Sequence, residues 1–238
     1  MPPAYTPHMR YLGGKHRLAK HIVKAILEDL PEKPKRIFDP CCGAMNTVCA
    51  FAPHAPTFAS DIQPDLICMW QAAIAGWVPP TTLTEQEWRE LRAANDPTNP
   101  LTAFAKFACS WGARPWEGYA RQKNRKVQPF ARQGSTGVVR KANLLKGFHV
   151  DISVGDVCEL HVSEGDLVYI DPPYAQSKGY RTAPIDVWAV ARRLRAQGAW
   201  VYVSEYKGPD DATCIWEAPA HRGQVTKPGA VERLFRVG

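Results

Sequence analysis

The stretch LVYIDPPY at residues 167–174 is an apolar, strand-like run that ends in an acid, two prolines and an aromatic residue. The acid, Asp171, and the backbone carbonyls of the prolines accept hydrogen bonds, and Tyr174 offers a ring face. These groups suit a pocket that holds a planar ring and accepts both hydrogens of its amine, and a nucleobase is such a ring. A tight turn is the alternative, because two prolines often follow a strand.

Strand-like and helical segments alternate around this stretch. Apolar residues at helical spacing predict a helix over 16–30, followed by a strand at 36–39, a helix at 46–52, a strand at 57–61 and a helix at 64–76. This alternation predicts an α/β fold with a largely parallel, Rossmann-like sheet. Later segments are predicted as a helix at 84–95, strands at 150–154, 167–170 and 200–203, a helix at 185–197, and a last strand or strand pair at 225–237.

Acids stand at the carboxyl ends of three predicted strands, at Asp39, Asp61 and Asp171. Ligands of parallel sheets bind at that edge. The three carboxylates are therefore expected to line a site for a ligand rich in hydroxyl and cationic groups. The alternative is that they are three unrelated helix N-caps.

Length and composition favour one substantial core with an insertion. The chain has 238 residues, 45% of them hydrophobic, and no apolar run is long enough to span a bilayer. The N-terminus lacks the blocks of a signal peptide, so the cytoplasm is the expected compartment. Seven cysteines without a repeated Cys-x-x-Cys pair predict reduced, buried thiols, and no metal site is expected.

Positive charge is concentrated in one segment. The whole chain carries a net charge of +7, yet residues 102–149 hold ten lysines and arginines against one acid, a net charge of +9. Four aromatic residues, Trp111, Trp116, Tyr119 and Phe130, are interleaved with them. This pattern is typical of phosphate neutralisation combined with base contact, and a solvated basic loop is the alternative. The glycines at 118, 134 and 137 are interpreted as turn signals within an inserted recognition region.

The strand ends also indicate which cofactor fits. The loop DPCCGA at 39–44 consists of small residues that allow close approach, but it lacks the G-x-G-x-x-G pattern of a dinucleotide site. Asp61 is placed to accept both hydrogens of a ribose diol. Asp156, after the strand at 150–154, is placed to accept a hydrogen bond from an adenine amine. Ribose, adenine and a cationic sulfonium together describe S-adenosylmethionine.

At this point the chain resembles the Dam-like family of DNA adenine-N6 methyltransferases, in which five motifs occur in the same order. Here these are YLGGK at 11–15, DPCCGA at 39–44, SDIQ at 60–63, the inserted basic region and DPPY at 171–174. The segments Ser204–Tyr206 and Glu232–Phe235 are similar to later family motifs. One departure is Met45, which stands where relatives carry a small residue; it implies either a wider loop or a lower cofactor affinity.

The resemblance implies a methyltransferase catalytic domain at 1–76 and 150–238, with an inserted target-recognition region at 77–149 that binds double-stranded DNA. It implies that the motif at 171–174 holds an adenine flipped out of the duplex, with catalytic residues Asp171, Pro172, Pro173 and Tyr174. The implied residues for S-adenosylmethionine are Tyr11, Gly13, Gly14, Lys15, Asp39, Pro40, Gly43, Ala44, Asp61, Ile62, Asp156, Val157 and Asp171. The candidate DNA contacts are Arg114, Arg121, Lys123, Arg125, Lys126, Arg132, Arg140 and Lys141.

Several other functions use similar residues. Methylation of the N4 amine of cytosine uses a related motif that often begins with serine, and methylation of RNA or of a protein amide also remains open. A catalytically silent DNA-binding protein with the same fold is a further alternative. Methylation of carbon 5 of cytosine needs a cysteine nucleophile, and Pro40-Cys41 fits that pattern only superficially, because it lies in the cofactor loop.

Overall fold

The computed structural model describes residues 8–121, 129–172, 185–219 and 231–238, and the chain divides into two compact units. The first, called the sheet unit, consists of Lys15–Ile62 and Phe148–Gly238. The second, called the helical unit, consists of the described residues up to Gly14 and of Gln63–Gly147.

A seven-stranded sheet forms the centre of the sheet unit. Its strand order is β3-β2-β1-β4-β5-β7-β6. The first five of these pair in parallel, and β7 runs antiparallel to both β5 and β6. The strands are β1 (Ile37–Asp39), β2 (Thr57–Asp61), β3 (Val150–Val154), β4 (Leu167–Ile170), β5 (Trp200–Glu205), β6 (Ala212–Pro219) and β7 (Val231–Val237). The predicted α/β fold with a Rossmann-like sheet is confirmed.

Helices cover both faces of this sheet, because the central strands are apolar on both sides. In β4, Val168 and Ile170 pack with the buried face of α7 (Val187–Ala196). Leu167 and Tyr169, which point the other way, pack with α1 (Ala19–Asp29). The short helix α2 (Asn46–Phe51) joins β1 to β2 and contributes Phe51 to that second cluster.

The strand order reverses between β1 and β4, and this reversal locates the site. Strands β2 and β3 follow β1 to one side, and β4 and β5 extend to the other. Connections leave in opposite directions at such a point, which opens a crevice at the carboxyl ends of the two strands. Asp39 ends β1 and Asp171 directly follows β4, so both acids lie at this edge.

The helical unit is built on buried aromatic residues. Its helices are α3 (Pro64–Ile74), α4 (Glu85–Ala94), α5 (Pro100–Ala103) and α6 (Pro129–Leu145), with a π-helical turn at Phe104–Ala108. The predicted capping box of α4 is present: Thr84 accepts from the Glu87 amide, and the Glu87 carboxylate accepts from the Thr84 amide. The indole of Trp88 on α4 donates to Ala105 and Ser110.

The prediction of turns at two glycines of the basic segment was wrong, because Gly134 and Gly137 lie inside α6. A Cβ at Gly137 would come within 2.4 Å of the Met9 amide nitrogen, and one at Gly134 within 2.9 Å of the Ala108 side chain. Glycine at these two positions allows neighbouring residues to pack closely against α6. The low helix propensity of glycine is outweighed by these tertiary contacts, which cannot be recognised from the local sequence.

The remaining predicted elements agree closely with the structure where it describes them. Of the predicted strand at 225–237, residues 231–237 form β7 and residues 225–230 lie outside the described ranges. Strand β6 was not predicted, because it alternates partly exposed positions at the rim of the sheet and lacks a strong apolar face. All seven cysteines lie in the described ranges and are thiols, as predicted, but only Cys42 and Cys109 are buried. Cys41, Cys49 and Cys68 are partly exposed and Cys158 and Cys214 are exposed, so the prediction of burial was wrong for these five. Among the helices in the described ranges, none is long and apolar enough to cross a membrane.

Candidate functional site

Asp39 is the most deeply buried acid at the carboxyl edge of the sheet. One oxygen, Oδ2, accepts a hydrogen bond of 2.5 Å from the Thr47 hydroxyl on α2. The other, Oδ1, has no hydrogen-bond partner among the residues described. Burial raises the pKa of Asp39 to about 7, and the charges of Asp171 and Asp61 add to the effect. A cation bound near Asp39 would therefore favour the ionised form of this carboxyl group.

The loop after β1 is fixed by backbone bonds to the end of β2. The Gly43 amide donates to Asp61 Oδ2 over 3.1 Å, and the Cys42 amide donates to the Ser60 carbonyl over 2.9 Å. Gly43 adopts a positive φ of 45°. These bonds hold Asp61 beside the loop that the sequence implied for the cofactor, together with Pro40 and Ala44.

Met45 also lies in this loop, with a left-handed backbone at φ 56° and a fully buried side chain. A residue with a Cβ pays strain in that region of φ, where glycine is favoured. The Met45 side chain is therefore directed into the protein interior. Both alternatives for Met45, a wider loop and a lower cofactor affinity, stay predictions.

An apolar surface lies next to Asp61. Ile62, an expected cofactor residue, is 49% exposed directly after β2, and Val154 at the end of β3 is 54% exposed. Val154 pairs in register with Asp61, so the two branched side chains belong to neighbouring strand ends. Val154 was not among the site residues expected from the sequence, although its position as the last apolar residue of a predicted strand was a usable signal.

A helix side chain braces the segment that follows β3. Asp156 Oδ1 accepts from the Cys158 amide over 2.8 Å, which caps a single 3-10 turn. The Arg193 guanidinium of α7 then donates to the Leu160 carbonyl at 2.8 Å, the Cys158 carbonyl at 3.0 Å and the Val157 carbonyl at 3.3 Å. A planar fork of donors suits this task, because one rigid group satisfies three carbonyls. Arg193 was also missed by the sequence analysis.

An ion pair connects the start of the sheet unit with the end of β4. Lys15 Nζ donates to Asp171 Oδ1 over 2.7 Å, and the lysine side chain is only 4% exposed. Burial by itself would lower the pKa of Lys15, but the charges of Asp171 and Glu232 outweigh it and raise the pKa. Lys15 therefore stays an ammonium at neutral pH, with its charge directed at the acid of the DPPY motif.

Further acidic and aromatic groups stand at the end of β5. Burial, and then the charge of Asp171, raises the pKa of Glu205 above its ordinary value. The Tyr206 carbonyl accepts a 2.6 Å bond from Arg233 on β7, which fixes the backbone there. Five carboxylates, those of Asp39, Asp61, Asp171, Glu205 and Glu232, thus belong to strand ends or starts at one edge of the sheet.

Three expected cofactor residues belong to the helical unit. The Gly14 amide donates to the Tyr11 carbonyl over 3.1 Å, and Gly13 supplies the positive φ of 74° in this turn. The Tyr11 hydroxyl accepts from Gln63 over 3.2 Å, and its ring contacts Phe107. The turn is ordered by contacts within its own unit.

The predicted DNA contacts differ in how exposed they are. Arg132, Thr136 and Arg140 form one exposed stripe of α6 at spacings of four residues. Arg121 instead makes a two-oxygen pair with Glu85, Arg114 is partly buried, and Lys141 is 4% exposed above the Trp70 ring. Exposure on α6 favours Arg132 and Arg140 as phosphate contacts, and the role of all these residues stays a prediction.

The aromatic residues of the basic segment are mostly structural. The Trp116 indole packs edge-on against Trp88 and donates to Asn95. Tyr119 donates to the Leu83 carbonyl, and the Arg10 guanidinium lies over the Phe130 ring at 4.2 Å. Trp111, at 49% exposed, presents an open surface.

Some predicted residues lie outside those that the structure describes. Pro172 is buried directly after Asp171. The outside group consists of Pro173 and Tyr174 of the DPPY motif and of Lys123, Arg125 and Lys126 of the basic segment.

S-adenosylmethionine fits the groups at this edge. The buried Asp39 Oδ1, which has no hydrogen-bond partner in the described part of the chain, favours a cationic ligand. The exposed Ile62 and Val154 offer an apolar surface for a ring. The loop cysteine does not fit a nucleophile, because burial and the charges of Asp61 and Asp39 raise the pKa of the Cys41 thiol well above its ordinary value.

Residues 11–128 match the family model described as D12 class N6 adenine-specific DNA methyltransferase. Among solved structures, a putative methyltransferase, yhhF, from Escherichia coli is 8% identical, with 92% of this chain and 85% of that chain covered and a TM-score of 0.42. Precorrin 8W decarboxylase from Methanobacterium thermoautotrophicum is 12% identical, with 93% and 90% covered and a TM-score of 0.39. No curated protein sequence matches the chain.

Proposed function

We propose that this chain, which belongs to the D12 class of N6 adenine-specific DNA methyltransferases, methylates the N6 amine of an adenine flipped out of double-stranded DNA. S-adenosylmethionine supplies the electrophilic methyl group when it is bound. The observation that carries the proposal is the position of Asp171, at the switch point of the sheet and beside the buried Pro172.

The amine of adenine is a weak nucleophile, because its lone pair is delocalised into the ring. Asp171 and the Pro172 carbonyl accept the two amine hydrogens, which favours a pyramidal nitrogen and directs the lone pair at the methyl group. Positioning and electrostatics supply most of the rate in such a site. Tyr174 stacks on the base in this proposal, as the motif implies.

The cofactor is held along the carboxyl edge of the sheet unit. Asp61 accepts the ribose hydroxyls while Gly43 keeps its carboxylate in place. Asp156 accepts from the adenine amine, and Ile62 with Val154 covers the ring. Asp39 complements the positive charge of the methionine portion, in keeping with its unpartnered oxygen and its pKa of about 7.

DNA binding is assigned to the helical unit. Arg132 and Arg140 lie eight residues apart on α6, about 12 Å along the helix, so they reach separate phosphates. The exposed Trp111 is available to stack on a base or fill a gap in the duplex. Flipping the target base costs about a few kcal/mol, which these contacts offset.

The decisive experiment is replacement of Asp171 by Ala, compared with Asp151→Ala on the exposed face of β3 as the matched control. Methylated DNA is digested to nucleosides, and the modified base is identified by mass. The expected result is N6-methyladenine from the control and the unchanged chain, and none from Asp171→Ala. Normal turnover by Asp171→Ala would overturn the assignment.

The other outcomes of this experiment separate the alternatives. N4-methylcytosine as the product establishes the cytosine alternative. Failure of the unchanged chain to bind S-adenosylmethionine in calorimetry favours a catalytically silent DNA-binding relative. Sequencing of single DNA molecules from cells that express the protein then reports the recognition sequence.

A further inference from the structure

A second carboxylate lies within reach of the ion pair at the candidate site. Glu232 Oε2 is 3.8 Å from Lys15 Nζ, the same nitrogen that donates to Asp171 at 2.7 Å. The side chains of Lys15, Asp171 and Glu232 are 4%, 18% and 11% exposed. Solvent and salt screen such buried charges little, so the ammonium interacts with both carboxylates.

The fold brings Glu232 there from the far end of the chain. Strand β7 pairs antiparallel with β5, and Arg233 lies opposite Glu205, so Glu232 stands where β5 ends. Leu234, two residues on and on the same face, is buried in the cluster that contains α1. Lys15 lies just before α1, which explains why the two side chains meet on this face.

We infer that Glu232 is a positioning residue that shares the charge of Lys15 with Asp171 and takes up the ammonium when Asp171 accepts the target amine. This inference rests on the proposed function. A carboxylate tied to a single buried ammonium is a weaker acceptor for a neutral amine, because its charge is already neutralised. A competing carboxylate leaves more of that charge on Asp171.

The distances allow this exchange with little movement. A shift of about 1 Å brings Nζ from 3.8 Å to ordinary hydrogen-bonding distance of Glu232. A lysine has the flexibility for it, since its ammonium is a compact charge on a four-carbon stem. Burial, and then the charges of Asp171 and Glu232, raise the pKa of Glu205, so this neighbouring acid also responds to the two carboxylates.

The test is Glu232→Gln, which keeps size and shape and removes the charge. The matched control is Glu28→Gln, which removes the same charge from an exposed pair with Lys24 on α1 of the same unit. Single-turnover methyl transfer, KM for DNA and cofactor, and the thermal midpoint are measured for each full-length variant. We expect Glu232→Gln to lower the transfer rate about tenfold or more, with both KM values within about threefold.

Glu232→Asp distinguishes positioning from a structural role, because it keeps the charge and withdraws it by one methylene. An intermediate rate supports the inference, and it decides the question if Glu232→Gln does not fold. A wild-type transfer rate in Glu232→Gln or Glu232→Asp overturns the inference. It is also overturned if the loss of activity is explained entirely by a higher KM or by a lower thermal midpoint. Asp171→Ala distinguishes the two proposals. If Asp171→Ala is inactive while Glu232→Gln is fully active, the proposed function is supported and the role of Glu232 is rejected.

Discussion

The carboxyl edge of the sheet unit and the basic segment of the helical unit contrast in how their charges are used. At the sheet edge, Asp39 Oδ1 has no hydrogen-bond partner among the residues described, and Lys15 lies near two carboxylates, those of Asp171 and Glu232. In the helical unit, Arg121 pairs with Glu85, and Lys106 pairs with Asp65 at 2.8 Å. In the helical unit, part of the positive charge is therefore used in ion pairs within the fold. At the sheet edge, burial and then neighbouring carboxylates raise the pKa values of Asp39 and Glu205.

For this protein, the position of a residue in the fold therefore indicates function better than the composition of its segment does. A strand end in a parallel sheet has a fixed place and direction, so an acid there faces the ligand crevice. An arginine or aromatic residue within a helical region has many structural uses. Four experiments test this contrast. The first three are ordered by the expected loss of affinity, and the fourth measures folding stability.

Asp61→Asn tests the sheet edge most directly. Loss of a charged acceptor for two hydroxyls costs about 3 kcal/mol, which lowers cofactor affinity about 100-fold. Calorimetric titration with S-adenosylmethionine measures it, and Asp151→Asn on the exposed face of β3 is the control. An affinity within threefold of the unchanged chain contradicts the role assigned to Asp61.

Replacement of both Arg132 and Arg140 by Ala tests the helical unit. Two lost phosphate contacts weaken DNA binding about tenfold and reduce the slope of log affinity against log salt by about 2. Arg89→Ala with Arg92→Ala, on α4, removes the same charge elsewhere and serves as the comparison. Equal weakening in both double variants would show that net charge, not the α6 stripe, binds DNA.

Arg193→Met removes the brace behind Asp156, including the hydrogen bond to the carbonyl of Val157, which is an expected cofactor residue. The three carbonyls lose their donor, so the segment loosens, and affinity for S-adenosylmethionine falls about fivefold while the transfer rate at saturation changes little. Binding of S-adenosylmethionine and saturated turnover are measured side by side. A drop in saturated turnover with unchanged affinity runs against this role.

The pH dependence of folding stability tests the raised pKa of the buried acid Asp39. Burial raises the pKa of Asp39 from 3.8 to about 7, so between these values the folded state holds a proton that the unfolded state has lost. The stabilising contribution of this group is therefore fully present below pH 3.8 and is lost as the pH rises through 7, by about 2 to 3 kcal/mol between pH 5 and pH 8. Urea unfolding measures it, and Asp39→Asn should remove this part of the slope. An identical slope in the variant refutes the assignment.

The local sequence was sufficient for much of the framework. Strands β1, β2, β4 and β5 and the helices from α1 to α4 follow from apolar periodicity, capping residues and prolines, which act over a few residues. Strand β6 and helix α6 were not predicted, because the contacts that stabilise them are not local. Their identity depends on partners distant in sequence, namely β7 for one and the backbone at Met9 for the other.

From the sequence alone it follows that acids stand at the ends of strands and that a DPPY motif follows one strand. This is so because the strands and the helices between them are encoded by local patterns of apolar residues. Only the tertiary structure decided which charges meet: Lys15 with Asp171 and Glu232, and Arg193 with the carbonyls near Asp156. These contacts join residues that are up to 217 positions apart. No local pattern reports them, since ion pairs and braces depend on where the sheet brings distant side chains together and on how deeply it buries them.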